Sequence, residues 1–378
     1  SKVSVKTNTV TEKTQKNLAS VFGRLQYNYK EKYMFSGSLR YDGCSIFGAD
    51  NKWGVFPAVS AGWMISNENF FKKLNLPWWN TLKFRVSYGE TGNNNISNTA
   101  AYATLSTVTY AGQAGYQANS LGNPDLGWEK TKSADFAVDL GFVNNRIQLS
   151  LDYYTKRTSD LLYQVPVPGA SGFSTVWDNL GDIDNKGFEI ELEHRKNFRN
   201  WGYSVKGNFS YAKNKIISAD EPDNVDKPWQ RRAGTSIDEM YGYIAEGLFQ
   251  TWDEINDPDI AKTTASNLQP GDIRYKDLNG DGVINDDDRG YLGKNSTPDK
   301  IVGLALSGNW KNFDFSVLFQ AALGGNTWFT GSAIWPFESK ASVSQDVLNN
   351  YWSTNNTAEQ NANVFYPRLS SDHSDNNY

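Results

Sequence analysis

Asp135-Phe136-Ala137-Val138-Asp139-Leu140-Gly141-Phe142 runs into Val143-Asn144-Asn145-Arg146 and then into Ile147-Gln148-Leu149-Ser150-Leu151-Asp152-Tyr153. Phe136, Val138, Leu140 and Phe142 occupy every second position with Asp135 and Asp139 between them, and the alternation resumes at Ile147, Leu149, Leu151 and Tyr153. A period of two places the apolar set on one face of a strand and the carboxylates on the other. The Asn pair between the runs suits the left-handed backbone of a tight turn. One hairpin, one oily face and one charged face: the expectation is a sheet dividing two environments.

The same pattern extends in both directions. Val21, Gly23, Leu25, Tyr27 and Tyr29 alternate before the polar turn Lys30-Glu31-Lys32, and Phe35, Gly37, Leu39 and Tyr41 alternate after it. Val55, Val59, Ala61, Trp63 and Ile65 follow, and then Leu82, Phe84, Val86 and Tyr88 alternate with Lys83, Arg85 and Ser87. Phe188, Ile190 and Leu192 alternate with Glu189, Glu191 and Glu193, and the turn at 197–200 leads to Tyr203, Val205, Phe209 and Tyr211. Val302, Leu304 and Leu306 precede Phe313, Phe315, Val317 and Phe319. About ten to twelve strands of roughly ten residues are expected, joined by turns rich in Gly, Asn and Asp.

Composition decides which environments these are. Aromatic residues make up 14% of the 378, yet only 39% are hydrophobic, and the mean hydropathy is −0.60. No run of about 18 apolar residues exists, which excludes transmembrane helices. A transmembrane barrel stays open, because its strands average lipid-facing and lumen-facing residues. The net charge of −5, with Lys and Arg scattered singly, speaks against a nucleic-acid partner. The single cysteine, Cys44, rules out an intrachain disulfide in this chain and reads as a strand-end residue, and His194 and His373 offer little material for a His-rich metal or triad site. Ser1 to Val10 lacks the charged start and apolar core of a secretory leader.

A water-soluble β-sandwich alternates in the same way. Two features favour the membrane. Aromatic residues crowd the strand ends at Tyr33, Trp53, Trp63, Trp128, Tyr153, Tyr154, Trp201, Tyr203 and Trp310, where girdles at the lipid interfaces would lie. Short turns alternate with long polar connections at 91–127, 160–184 and 216–300, expected to be structureless outer loops. No repeat of fixed length argues for a propeller. The polar end, Ser370 to Tyr378, shows no alternation. An open edge in lipid leaves backbone groups unpaired, so residues 1–378 are expected to be part of one larger barrel domain.

One motif carries chemistry. Asp277-Leu278-Asn279-Gly280-Asp281-Gly282-Val283 continues to Asp288 and matches a calcium loop, D-x-N-x-D-G with a carboxylate at the twelfth position. Spacing by two would bring Asp277, Asn279 and Asp281 round one ion, with the Val283 carbonyl and Asp288 completing the set. Oxygen-only ligands on a loop favour Ca2+ over Mg2+, as a structural ion in an insertion at 270–290 of an extracellular loop. The competing reading is a polar Asn-Gly/Asp-Gly turn. Glu189, Glu191 and Glu193, or Asp135 and Asp139, invite a glycosidase reading; their regular alternation makes them lumen-lining charges instead. Trp229, Trp252 and Trp335 are candidate sugar platforms, with loop packing the commoner role.

Several stretches together resemble one family, the SusC/RagA-like TonB-dependent outer-membrane transporters. They are Arg85–Asn93 (RVSYGETGN), Leu121–Thr131 (LGNPDLGWEKT), Leu151–Tyr163, Asn185–Glu189, Gly271–Arg289 and Tyr366–Leu369. The resemblance spans roughly Asn17 to Leu369. It implies an all-β, 22-stranded transmembrane antiparallel β-barrel in the outer membrane of a Gram-negative bacterium, without catalysis. It also implies a plug and TonB-contact regions outside this segment, a SusD-like surface lipoprotein as lid, and import of oligosaccharides or oligopeptides. The competing class is a secreted, calcium-stabilised carbohydrate-binding β-protein or glycosidase.

Overall fold

The computed structural model describes residues 15–110, 112–219, 226–264, 267–331 and 335–371, so His373 and most of the polar end lie outside the described residues. Residues 1–10, where a leader would begin, lie outside them too. The chain divides into two compact units, Ser1–Asp220 with Lys300–Ala321, and Glu221–Asp299 with Ala322–Tyr378.

The first unit is built on one antiparallel sheet of ten strands. They are Leu18–Tyr29, Tyr33–Cys44, Trp53–Met64, Trp79–Asn93, Glu129–Phe142, Ile147–Ser159, Asp182–Asn197, Trp201–Ser218, Lys300–Trp310 and Phe313–Leu323, and each lies beside its predecessor in this series. Even the shortest, at 11 residues, reaches the 9–11 or so that a tilted strand needs to cross a bilayer. At one end of the sheet the connections are short, at 30–32, 143–146, 198–200 and 311–312. Lys30 and Glu31 turn with φ of 52° and 53°, and Asn144 and Asn145 with 57° and 56°, the left-handed values that match the strands' twist.

Register converts the alternation into two continuous faces. Tyr27 pairs with Phe35, Phe35 with Ala61, Ala61 with Val86, Val86 with Phe136, Phe136 with Tyr153, Tyr153 with Phe188, and Phe188 with Tyr211. A second apolar row runs from Trp63 through Phe84, Val138, Leu151, Ile190 and Phe209 to Val302. These side chains are open rather than packed, with Phe136 55% and Tyr27 59% exposed. An apolar face of this extent belongs against lipid. The opposite face carries Lys83, Asp139, Ser150, Glu191 and Asn208 in one row.

The aromatic girdle at the short-turn end is tied down chemically. Glu68, in the link between the third and fourth strands, accepts hydrogen bonds from Lys32 Nζ (2.9 Å), Tyr33 Oη (2.6 Å) and Trp63 Nε1 (3.3 Å). Lys32 first, then Tyr33, hold its carboxyl down to about 2. Stacking continues the belt from Tyr29 to Tyr33 and from Tyr33 to Trp63.

Three expectations fail. Tyr154 is not in the girdle: its register partners, Asp135 and Gly187, put it on the polar face. Trp128 is not there either, because it is buried with Cys44, Ile46, Phe47, Phe56, Ala100, Ala101 and Leu126 in a small core beneath the long connections. Those connections are not structureless. They fold hairpins at Thr104–Tyr110 with Gln113–Ser120 and at Leu162–Pro166 with Thr175–Asn179, and 221–299 joins the second unit. Short strands with little apolar content leave no periodic trace to read.

Placing a charge in the lipid-facing row at Val138→Arg should cost about 2–4 kcal/mol near the midplane. Asp139→Asn, on the partly hydrated polar face, should cost about 1 kcal/mol or less. Urea unfolding of the full-length protein in lipid vesicles measures both, and equal costs would contradict the assignment of faces.

Candidate functional site

The polar face is organised round one guanidinium. Arg85 Nε and Nη2 donate to the two oxygens of Asp139 at 2.8 and 2.9 Å, and Nη2 also reaches Asp152 at 3.1 Å. Ser150 Oγ lies 2.8 Å from Asp139 and 3.1 Å from Asp152, with one proton to give to either carboxylate, so a single network joins three strands. A bidentate Arg–carboxylate pair is both strong and fixed in geometry. A cavity of about 620 Å³ opens beside it, lined by Arg24, Gln26, Asn28, Lys83, Arg85 and Asp135 among others.

The paired-acid reading finds little here. Asp139 is held by Arg85, Glu191 by Lys206 at 2.8 Å, and Glu193 by the Ser204 hydroxyl at 3.0 Å. These three acids are each engaged by a cation or a hydroxyl and do not pair with one another. The face offers charges that alternate with the apolar positions along each strand.

The LGNPDLGWEKT stretch is a clasp. Asn123 Nδ2 donates to the Trp177 carbonyl (3.0 Å) and to Asp178 (2.9 Å), while its Oδ1 accepts from the Asp125 amide (3.0 Å). Gly122 passes so near Tyr102 and Ala103 that a Cβ would come within 2.4 Å of backbone. Leu126 and Trp128 fill the small core, and the Trp128 indole donates to the Lys52 carbonyl at 3.0 Å. Glu129 accepts from Asn93 (2.9 Å) and from the Leu162 amide (3.1 Å). Three connections are thereby fastened to one another at the long-loop end.

In the second unit the ion-loop residues are folded by their own side chains. Asp277 accepts from the amides of Gly280 (2.6 Å) and Gly282 (2.8 Å), Asn279 from Asp281 N (3.0 Å), and Asp281 from Val283 N (2.8 Å). Gly280 and Gly282 take φ of 77° and 80°, as such turns require. Asp288 is fully buried and accepts from the amides of Leu278 (2.8 Å) and Asn285 (3.0 Å). Burial pushes the Asp277 carboxyl up, but the Gly282 and Gly280 amides and a bond shared with Asp288 bring it below its usual range. Among the described residues no three His, Cys, Asp or Glu side chains converge as a metal site. Val283 and Ile284 pair with Lys262 and Thr263, and Ile284 is buried, anchoring the loop.

One pairing escaped the sequence reading altogether. Arg368 Nε donates to Asp272 Oδ1 at 2.6 Å, and Asp272 is only 1% exposed. The Arg368 amide also donates to the Gly271 carbonyl (2.9 Å), and the Gln269 amide donates to Asp272 (2.8 Å). A buried carboxylate without its cation would be heavily penalised, so this contact fixes the segment before the ion loop to the YPRL stretch. Gly271 turns here at φ 91°, where a Cβ would lie 2.5 Å from the Trp352 ring. Trp229, a candidate platform, donates its indole to the Asp287 carbonyl at 2.8 Å and so helps hold the loop, while Trp252 is exposed. Trp335 is half-buried.

Comparison with known proteins agrees with this arrangement. Residues 3–281 match the family model described as TonB dependent receptor-like, beta-barrel. The chain is 36% identical over 357 residues to TonB-dependent receptor P3 of Formosa agariphila, covering 90% of this chain and 35% of that protein. It is 32% identical over 370 residues to TonB-dependent receptor SusC of Bacteroides thetaiotaomicron, covering 92% and 35%. The chain thus spans about a third of the length of the curated relatives it matches. The solved structure of the RagAB peptide transporter superposes with a TM-score of 0.74 over 95% of this chain and 39% of that chain, at 23% identity. The ten-stranded two-faced sheet and the match over most of its strands make this chain a SusC/RagA-like member of the TonB-dependent receptor β-barrel family of the Gram-negative outer membrane.

Proposed function

We propose that the full-length protein imports oligosaccharides or oligopeptides across the outer membrane, driven through TonB and working with a SusD-like surface lipoprotein as lid. The observation that carries this reading is the pairing of a continuous lipid-type face with a charged, Arg85-centred face on the same ten strands. That division suits the wall of a wide water-filled passage and not a soluble binding protein. The similar RagAB structure, described as a peptide transporter, supports oligopeptide as a cargo class. The long connections, with their clasped core, are on this reading extracellular and form the mouth. The two edge strands, Leu18–Tyr29 and Phe313–Leu323, pair on one side only among the described residues. In lipid their free edges require further strands of the full-length protein.

Uptake of fluorescent oligosaccharides and oligopeptides by intact cells tests the proposal. Deleting the gene, or inactivating TonB, should abolish uptake of one of the two classes. Uptake that persists without TonB would contradict it.

We further propose that Asp277, Asn279, Asp281, Asp288 and the Val283 carbonyl hold one Ca2+ ion. The spacing of oxygen donors and the turn that folds Asp277, Asn279 and Asp281 onto one another's amides support this. Each carboxylate oxygen engaged by an amide keeps a second lone pair for a cation. Ion binding would draw the acids together, since among the described residues no three converge. Calcium at millimolar concentration should then slow protease cleavage between Tyr275 and Arg289, and Asp281→Ala should remove the effect. Identical cleavage with calcium and with chelator would leave a polar turn stabilised by its own amides.

A further inference from the structure

At the long-connection end of the sheet, just past the aromatic row, lysines gather on the lipid-type face. Lys186 and Phe188 alternate along one strand, Lys213 and Tyr211 along the next, and the register sets Lys186 directly opposite Lys213. Like charges directly opposite on neighbouring strands repel. Lys215 lies one step beyond Lys213 on the same face, opposite Asp184, and Lys300 is opposite Tyr211 with its ammonium 5.6 Å from the ring centroid. Counter-charge is scarce. Asp184 is 3.9 Å from Lys186 and is shared with Arg157 at 3.8 Å, and Asp182 is taken by Arg157 at 2.9 Å. Among the described residues, Lys213 and Lys215 have no carboxylate within ion-pair distance. Three lysines, Lys186, Lys213 and Lys215, one carboxylate, Asp184, and the rings of Tyr153, Phe188 and Tyr211 line a cavity of about 370 Å³. Its floor is aromatic, with Phe188 5.7 Å from Tyr211 centroid to centroid.

We propose that this cavity binds a phosphorylated glycolipid of the outer leaflet, with a phosphate between Lys186 and Lys213 and an acyl chain against Phe188, Tyr211 and Tyr153. The chemistry is an ion pair at the rim of an apolar surface, where a phosphate relieves the repulsion of the opposed lysines and accepts several N–H bonds at once. Position selects the source. The long connections mark the extracellular side in the reading proposed above, so the lipid facing this cavity belongs to the outer leaflet.

Native mass spectrometry of the full-length protein in detergent, titrated with bisphosphorylated lipid A, is the test. Lys186→Gln with Lys213→Gln should weaken lipid A binding about tenfold, which is about 1.4 kcal/mol, while Lys186→Arg with Lys213→Arg should retain it. Dephosphorylated lipid A should bind the wild type as weakly as lipid A binds the Gln variant. Equal binding of lipid A by wild type and Gln variant, or equal binding of phosphatidylglycerol and lipid A, overturns the assignment. Heat-dependent gel migration shows that each variant has folded. Labelling of a cysteine at Ser174 on intact cells tests the orientation separately, so a failed site and a reversed chain give different results.

Discussion

Backbone pairing in a non-hydrogen-bonding solvent is the constraint from which the rest follows. Hydrocarbon offers no partner to an amide or carbonyl, so each strand must be satisfied by its neighbours along its whole length. Once pairing is fixed, the pleat sends successive side chains to opposite sides, and a slip of one residue would turn Asp139 into lipid and Val138 into water. The register linking Val138 with Phe84 and Leu151 therefore follows from both demands together. The Arg85 network adds a third: its bidentate hold on Asp139 and its bond to Asp152 can form only in this register.

The two ends of the sheet solve different problems. At the short-turn end the chain has only to reverse, and the left-handed Lys30-Glu31 and Asn144-Asn145 pairs do so with few residues. Glu68 joins the link there to the aromatic belt through Lys32, Tyr33 and Trp63. At the other end the connections must be long and yet ordered in water, away from the sheet's own packing. They acquire order from a core of their own, in which Leu126 and Trp128 are central, and from polar clasps such as Asn123 and Asn179. The buried Asp272–Arg368 pair has the same role in the second unit. Loops built in this manner keep a shape that a passing ligand can meet without first paying to order them.

Most of the sheet was legible in the sequence because its signal is local. Phe136, Val138, Leu140 and Phe142 announce a face without reference to any other strand, and the Asn pair announces the turn. The ion-loop residues were legible as a motif, and the structure shows their Asx turns; the expected convergence of the acids round one point is not seen among the described residues, because it depends on side-chain directions that spacing does not set. Trp128 and Tyr154 were misread for a related reason. An aromatic residue near a strand end looks alike whether it faces lipid, lumen or a loop core, and only register or tertiary burial separates the three. Arg368 and Asp272 lie 96 positions apart, so nothing in either stretch names the other.

The central claim is that one face of these strands meets lipid and the other meets water. Single cysteines at Phe136, Val138, Asp135 and Asp139 in the full-length protein, reconstituted in vesicles and exposed to a membrane-impermeant maleimide, test it most directly. The account predicts that Asp135→Cys and Asp139→Cys react once the passage is open to solvent, while Phe136→Cys and Val138→Cys stay protected until the lipid is dissolved. Reaction in the opposite order would contradict it.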